Sequence, residues 1–449
     1  MNIGYINRVV MLLAATLYTS CSVDAANEGS YDNEEEEEST ALTSPNILFI
    51  LIDDLGVDAL NTYSGTTSQS VTRANTPNID KLAARGITFD NAWSSPLSAP
   101  TRASVITGKY GDKTGVMALN PELSTNEVTL HAALSKEYAT SLIGKWHLTK
   151  DGVNPELYGM DYFAGMTSES GVVDDYFAWN LTQNGVSTPC NDYATTKITD
   201  LTIEWISEQQ KPWFCWVATI APHAPYHLPP SYMHSQGELP SDEASIETNP
   251  LPYFLAMVES VDYEVGRLLE SLDDETLENT TIILMGDNGT SRKVIQAPYT
   301  TNRSKGTLFE GGVRVPLIVA GAEVSNQNSR SDILITATDI FATVMELSGE
   351  ELPIYEDSYS FADVIRRGGT TQREYSFTEV TINGSAYSNT IRNQSYKLFT
   401  QGGVTTGFYK IAGYTEGANL IDTELSTEAS LAFEELSREL ERMNIPNDL

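Results

Sequence analysis

Short unbroken apolar runs, each ending in a polar cluster, alternate along the chain with longer segments whose apolar positions recur every three or four residues. Residues 46–52 form the first such run, Asn-Ile-Leu-Phe-Ile-Leu-Ile, and 139–144, 213–219 and 281–285 repeat the pattern. Continuous β-branched runs of this length belong to strands buried on both faces, as in a parallel sheet. Helical stripes lie between them. One is 76–86, with Pro77 in its first turn and Gly86 at its exit; others are marked by Leu130, Leu134 and Tyr138, by Ile198, Leu201, Trp205 and Ile206, and by Met257, Val261, Val265, Leu268 and Leu269. This alternation predicts an α/β fold built on a parallel sheet. A strand at 317–320 and a packing helix at 338–347 extend it. From about Arg373 the rhythm shifts to shorter alternating segments, 375–381, 385–392 and 396–400, and then to an acidic helix at 427–443. That predicts a small antiparallel sheet with one helix.

The first 44 residues follow neither pattern. One basic residue in 2–8, an apolar run at 9–17 and small residues at 19–21 form an export signal, with an apolar run too short to span a bilayer. Cys21 is either the lipid-anchored residue of a lipoprotein or lies in a simple signal peptide cleaved near Ala25 or Ala26. Residues 24–44 carry Asp24, Glu28, Asp32 and the run from Glu34 to Glu38 with no base, which predicts a solvated tether. The expected organisation is a signal peptide at 1–20, an acidic disordered tether at 21–44, a large domain at 45–370 and a C-terminal α+β subdomain at 371–449. The expected location is the periplasm or the outer-membrane surface. A formal charge of −34 speaks against a nucleic-acid partner. An anionic substrate must therefore be drawn in by bases gathered inside one pocket. Cys190 and Cys215 either pair or stay free, and the sequence leaves both open.

The chemistry-bearing residues sit where the apolar runs end. Asp53 and Asp54 follow the first strand, and ligand sites in open α/β sheets lie at such carboxyl ends. Adjacent carboxylates repel unless a cation holds them, although a lone Asp-Asp is usually a solvated turn. Asp287 and Asn288 follow the 281–285 strand. Together these are oxygen donors, suited to Ca²⁺, with Mg²⁺ as the alternative, and not to Zn²⁺. In the stretch from Ser98 to Gly108, Pro100 fits the first turn of a helix and Gly108 its exit. Ser98 is then at a helix N-terminus, where an oxyanion is stabilised, and Arg102 adds a permanent cation one turn later. An isolated Ser-x-Pro-x-Arg would more often be a cap beside a surface arginine. Lys145 and His147 end the 139–144 strand and share one side if the strand continues through them. His223 lies in a loop stiffened by Pro222 and Pro225. Lys305 precedes the block from Glu310 to Pro316.

Ser98, Pro100, Arg102, Thr107 and Gly108 resemble the signature of the type I, formylglycine-dependent sulfatases of the alkaline-phosphatase-like superfamily, Cys/Ser-x-Pro-Ser-Arg-x-x-x-Leu-Thr-Gly. Thr101 and Ile106 depart from it. Gly-Lys-Trp-His at 144–147 and the block at 310–316 are further sulfatase-like windows. The resemblance implies an α/β/α sandwich with a large mixed, mostly parallel sheet, whose 45–370 portion is the sulfatase catalytic domain, in a serine-type bacterial member. It implies that Ser98 becomes formylglycine (3-oxoalanine), made by a serine-competent maturase before export. It also implies a Ca²⁺ ion bound by Asp53, Asp54, Ser98, Asp287 and Asn288, with Arg102, Lys145, His147, His223 and Lys305 around the sulfate and Arg314 in a structural role. The expected substrate is a sulfated oligo- or polysaccharide, such as fragments of ulvan or carrageenan, with Asp58, Tyr226, His227 and Arg292 as candidate contacts. The competing expectations are a phosphomonoesterase or phosphodiesterase of the same superfamily, and an inactive surface glycan-binding lipoprotein.

Overall fold

A computed structural model describes residues 44–66, 71–119, 122–134, 136–351, 357–381 and 386–443. The expected export signal, Cys21 and nearly all of the acidic tether lie outside the described residues. Ten strands form the main sheet: β1 (Asn46–Ile52), β2 (Gly86–Trp93), β3 (Ala139–Lys145), β4 (Tyr162–Met166), β5 (Trp179–Gln183), β6 (Val186–Cys190), β7 (Trp213–Ala218), β8 (Thr280–Gly286), β9 (Leu317–Gly321) and β10 (Ser329–Thr336). Their order is β10-β2-β9-β8-β1-β7-β3-β4-β5-β6. The central strands β8, β1, β7, β3 and β4 are parallel. Around them, β9 runs antiparallel to β8 and β2, and β5 and β6 make an antiparallel edge ribbon.

Strand β1 is buried throughout because both faces are covered. Leu48, Ile50 and Ile52 enter one apolar cluster, with the helices Ala194–Ser207 and Leu251–Glu270. Ile47, Phe49 and Leu51 enter the other, with Ser98–Thr107 and Asp339–Leu347. Side chains alternate with period two, so one seven-residue run supplies both cores of an α/β/α sandwich. The C-terminal strands β11 (Ser376–Val380), β12 (Ser388–Arg392), β13 (Tyr396–Gln401), β14 (Val404–Ala412) and β15 (Thr415–Asn419) form a separate antiparallel sheet in chain order. The helix Thr427–Arg442 packs on it through Ala429, Ala432 and Leu436. Both sheets belong to one compact unit, residues 43–449. Among the described residues no helix is long and apolar enough to cross a membrane.

Some expectations change. Leu130, Leu134 and Tyr138 are all buried on one face, yet the helix is only Leu130–Ala133 and Leu134 is already extended. Their spacing marks a buried side, not a long helix. Gly86 opens β2 instead of closing a helix: it pairs with Ala320, where a Cβ would collide with the Val319 carbonyl. Cys190 and Cys215 are both free. Three strands separate β6 from β7, and at about 4.8 Å per strand the two sulfurs are far beyond bridging distance.

Candidate active site

The site is built by strand order. Ile52 of β1 pairs with Gly286 of β8, so Asp53-Asp54 and Asp287-Asn288 leave the sheet side by side. The Asp287 N–H donates to the Ile52 carbonyl (2.9 Å), and the Asp54 N–H to Asp287 Oδ1 (3.0 Å). Asn288 Nδ2 donates to Asp54 Oδ1 at 2.8 Å. On the other flank of β1, Thr219 follows β7; its N–H donates to the Leu51 carbonyl (3.0 Å) and its Oγ1 accepts from the Asp53 N–H (3.4 Å). One strand further, β3 ends at Lys145, whose Nζ donates to Asp53 Oδ2.

Ser98 is the first residue of the helix Ser98–Thr107, which leaves through Gly108 at φ 69°. Its Oγ donates to Asp287 Oδ2 and lies 3.4 Å from Asp53 Oδ1. Arg102 returns to the same hydroxyl one turn later: Nε donates to Ser98 Oγ (3.1 Å), Nη2 to Asp287 Oδ2 (2.8 Å) and Nη1 to the Lys145 carbonyl (2.9 Å). Lys305 Nζ donates to Asp54 Oδ1, and His223 Nε2 lies 3.9 Å from Asp54 Oδ2. His147 arrives differently from the expectation. The strand ends at Lys145 and His147 adopts φ 51°, so a turn and not strand alternation brings it in.

Asp53 and Asp54 are buried, and their charge states follow from their neighbours. Burial opposes ionisation of Asp53, but Lys145, His223 and Arg102 outweigh it and hold the carboxyl below its usual range. The same contest, with Lys305 and His223 as the cations, lowers Asp54. Burial opposes the charge on Lys305, yet Asp54, Asp53 and Asp287 raise it above its ordinary value. Burial and then the charges of Lys145 and Arg102 push His147 well below its usual value, so it is neutral near pH 7. Its Nε2–H has the Leu119 carbonyl as acceptor (3.3 Å), leaving Nδ1 buried as a bare acceptor. His223 is also lowered, by burial first; its Nδ1–H donates to the Ala224 carbonyl (2.6 Å), which leaves Nε2 facing Asp54.

The residues present fit a hard divalent cation. Asn288 spends its amide N–H groups on Asp54 and the Gly289 carbonyl, and its buried Oδ1 has no hydrogen-bond partner among the described residues. An orphaned acceptor is costly unless something binds it. Around it stand the carboxylates of Asp53, Asp54 and Asp287, and Asp53, Asp54 and His223 can each bring a ligand atom within 4.8 Å of the others. Oxygen donors dominate this set, which favours Ca²⁺ or Mg²⁺.

The candidate contacts separate. Asp58 is fully buried, accepting from Thr290 Oγ1 (2.7 Å) and the Gln296 N–H (3.0 Å), and burial raises its pKa to about 6. It ties the two acidic loops together: Thr290 Oγ1 also accepts from the Gly56 N–H (3.1 Å). Tyr226 is half-buried, close enough to Asp54 to feel its charge, with the Ser291 side chain as a hydrogen-bonding neighbour. The His227 ring packs on Tyr176 with centroids 4.2 Å apart, and its Nε2 meets Tyr193 Oη at 3.0 Å. Arg292 is exposed. Arg314 is buried, and its Nε donates to Glu310 Oε2 at 2.6 Å. Sequence reasoning passed over Thr219, Thr290 and Tyr176, whose hydroxyl donates to the His223 carbonyl at 2.6 Å. The only signal for the threonines was their place just beyond a strand end, and Tyr176 carried none.

The profile of the Sulfatase family matches residues 45–350. The chain belongs to the Sulfatase family. Arylsulfatase J of Mus musculus is 29% identical over 396 residues, covering 80% of this chain and 62% of its own length. The chain thus spans somewhat less than two thirds of that relative. A sulfatase of Formosa agariphila is 25% identical over 456 residues, covering 89% of this chain and 85% of its own. A protein solved in complex with its substrate D-glucosamine-2-N,6-O-disulfate superposes with a TM-score of 0.74 at 20% identity, covering 90% of this chain and all of that one.

Proposed function

We propose that the chain is an exported sulfatase that hydrolyses sulfate monoesters of a sulfated oligo- or polysaccharide and releases inorganic sulfate. The observation that carries this reading is one buried cluster: Ser98 Oγ meets Asp53, Asp287 and Arg102, while Lys145 pairs with Asp53, Lys305 with Asp54, and Asn288 bonds Asp54 with its own amide oxygen left over. A sulfate monoester presents an electron-rich centre to an electron-rich nucleophile, so positive charge fixed in advance around the developing anion lowers the barrier most. Family membership supports the reaction class. The named ligand of the glucosamine disulfate protein supports a carbohydrate leaving group.

In this reading Asp53, Asp54, Asp287, Asn288 and residue 98 would hold Ca²⁺, or else Mg²⁺, which would supply positive charge to the sulfate oxygens. Formylglycine, formed from Ser98 by a serine-competent maturase, would supply as its hydrate a geminal diol, with one hydroxyl as the nucleophile toward sulfur and a second able to give up a proton. Arg102 orients the oxygen at position 98. Lys145 and Lys305 bind the sulfate oxygens as they gain charge. Lys305, held protonated by its carboxylate neighbours, or His223 once it is also protonated at Nε2, gives a proton to the departing alcohol, and neutral His147 accepts the proton lost from position 98. A zinc-dependent phosphatase would need more imidazole ligands than His223 offers here.

Expression with a serine-competent maturase, followed by mass spectrometry of the Ser98 peptide and a sulfate-release assay on defined sulfated saccharides, tests the proposal. A peptide two hydrogens lighter, with sulfate released, is expected. Intact serine, no sulfate from any ester and turnover of phosphate esters would refute it. Fractionation of the producing cells should recover the chain outside the cytoplasm.

A further inference from the structure

Beyond Lys145 the sheet continues through β4 and β5 before its edge, and a cleft of about 390 Å³ opens there. It lies one to two strand spacings, roughly 5–10 Å, from the strand that carries Lys145. Its floor is the face of the β5–β6 ribbon bearing Asn180, Thr182 and Ser187, with Trp179 beside them; its sides are the segments 151–154 and 166–174. The second segment is shared with the candidate active site. Met166 and Val173 line the cleft, whereas Gly171, at φ 66°, lies so close to the His147 ring that a Cβ would strike Nδ1. One loop therefore touches His147 on one side and the cleft on the other.

The lining is hydroxyl, amide and carboxylate with a minority of apolar groups, and its size falls within the usual range of ligand sites. Such a surface suits a polyol ring. Asp151 and Asp174 are its charged residues and none of its lining residues is basic, so a sulfated or carboxylated ring would be repelled. We propose that this cleft is a subsite for a neutral sugar one or two positions along the chain from the sulfated one. The substrate is then an oligosaccharide or polysaccharide and not a simple sulfate ester. This rests on the sulfated-carbohydrate reading above.

The test compares kcat/KM for a monosaccharide sulfate, its tetrasaccharide and 4-methylumbelliferyl sulfate, in the wild type and in Asn180→Trp and Ser187→Trp. Both replaced side chains are exposed. In the wild type the tetrasaccharide should be preferred over the monosaccharide by about tenfold or more. Both variants should bring that ratio close to one while leaving 4-methylumbelliferyl sulfate turnover unchanged. A tetrasaccharide sulfated on the neighbouring ring should lose the preference, and Asp174→Asn should restore part of it. Equal wild-type efficiency on both saccharides, or an unchanged ratio in both tryptophan variants, overturns the subsite. Preference kept for the doubly sulfated tetrasaccharide overturns its neutral character. Release from 4-methylumbelliferyl sulfate but from no saccharide overturns the carbohydrate reading itself, and the subsite with it.

Discussion

Arg102 makes three directed bonds from one planar fork, to Ser98 Oγ, Asp287 Oδ2 and the Lys145 carbonyl. Lysine keeps the charge but has a single ammonium on a flexible stem, so it cannot serve all three. Arg102→Lys should lower kcat/KM by roughly a hundredfold, with most of the loss in kcat, as steady-state kinetics would show. Glu379, on β11 of the small sheet, offers a separate residue-level test. It is buried, accepts from the Asp112 N–H at 2.7 Å and from the Tyr387 hydroxyl, and burial together with the Asp112 charge raises it to about 8. A folded-state value above the unfolded one means that the folded chain holds the proton more tightly. Stability from this group is complete below the ordinary carboxylate range and is lost as pH rises toward 8, by about 1.4 kcal/mol per pH unit within the window. Glutamine mimics the protonated acid. Glu379→Gln should leave the melting temperature near that of the wild type at pH 5 and raise it above the wild type at pH 8; calorimetry across that range measures the difference.

Among elements, the small antiparallel sheet also anchors the loop that carries Lys305. Lys397 of β13 is fully buried and donates to Glu310 Oε1 (3.0 Å) and Glu416 Oε1 (2.9 Å). Glu416 of β15 in turn accepts the Glu310 N–H (2.7 Å) and pairs with Arg303 at 3.7 Å, two residues before Lys305. Phe309 packs on Phe399 with centroids 4.9 Å apart, holding the far end of the same loop. Lys397→Met leaves two buried carboxylates short of a cation, a change that costs about 3–5 kcal/mol. Denaturant unfolding should show that loss, and kcat should fall with it because the Lys305 loop loses its support. None of this was legible in the sequence. The acidic helix at 427–443 could be read to within a residue or two because its amphipathic period is local. Lys397 sits in an unremarkable alternating segment, and its partners lie 87 and 19 residues away.

For the molecule as a whole, two properties are collective. The first is metal linkage: a cation that binds the folded acidic cluster and not the unfolded chain stabilises by about 2.7 kcal/mol at a free concentration a hundred times its Kd. Chelation should therefore lower the melting temperature as well as activity, and Ca²⁺ should restore both; unchanged melting would count against a metal at Asp53, Asp54, Asp287 and Asn288. The second is charge. At −34 the chain repels a polyanion at long range, although in the proposed reading the bases of the site attract sulfate at short range. Raising ionic strength shortens the screening length from about 30 Å at 0.01 M to about 8 Å at 0.15 M. Over that range kcat/KM for a sulfated polymer should rise, while that for a small sulfate ester should change less.

The sequence by itself determined the inventory and its placement along the chain. Buried strands announce themselves by continuous apolar runs, a helix by Pro100 in its first turn and Gly108 at its exit, and the reactive groups by standing just past the runs. Each of these is set by neighbours a few residues apart. The tertiary structure alone decided which strand ends meet. Asp53 and Asp287 become neighbours only because β1 pairs with β8, His147 faces the site through a turn where alternation would have carried it on, and the cleft beyond β4 exists only once β5 and β6 close the edge. Contacts between residues separated by up to about half the chain depend on sheet order, and no local period encodes that.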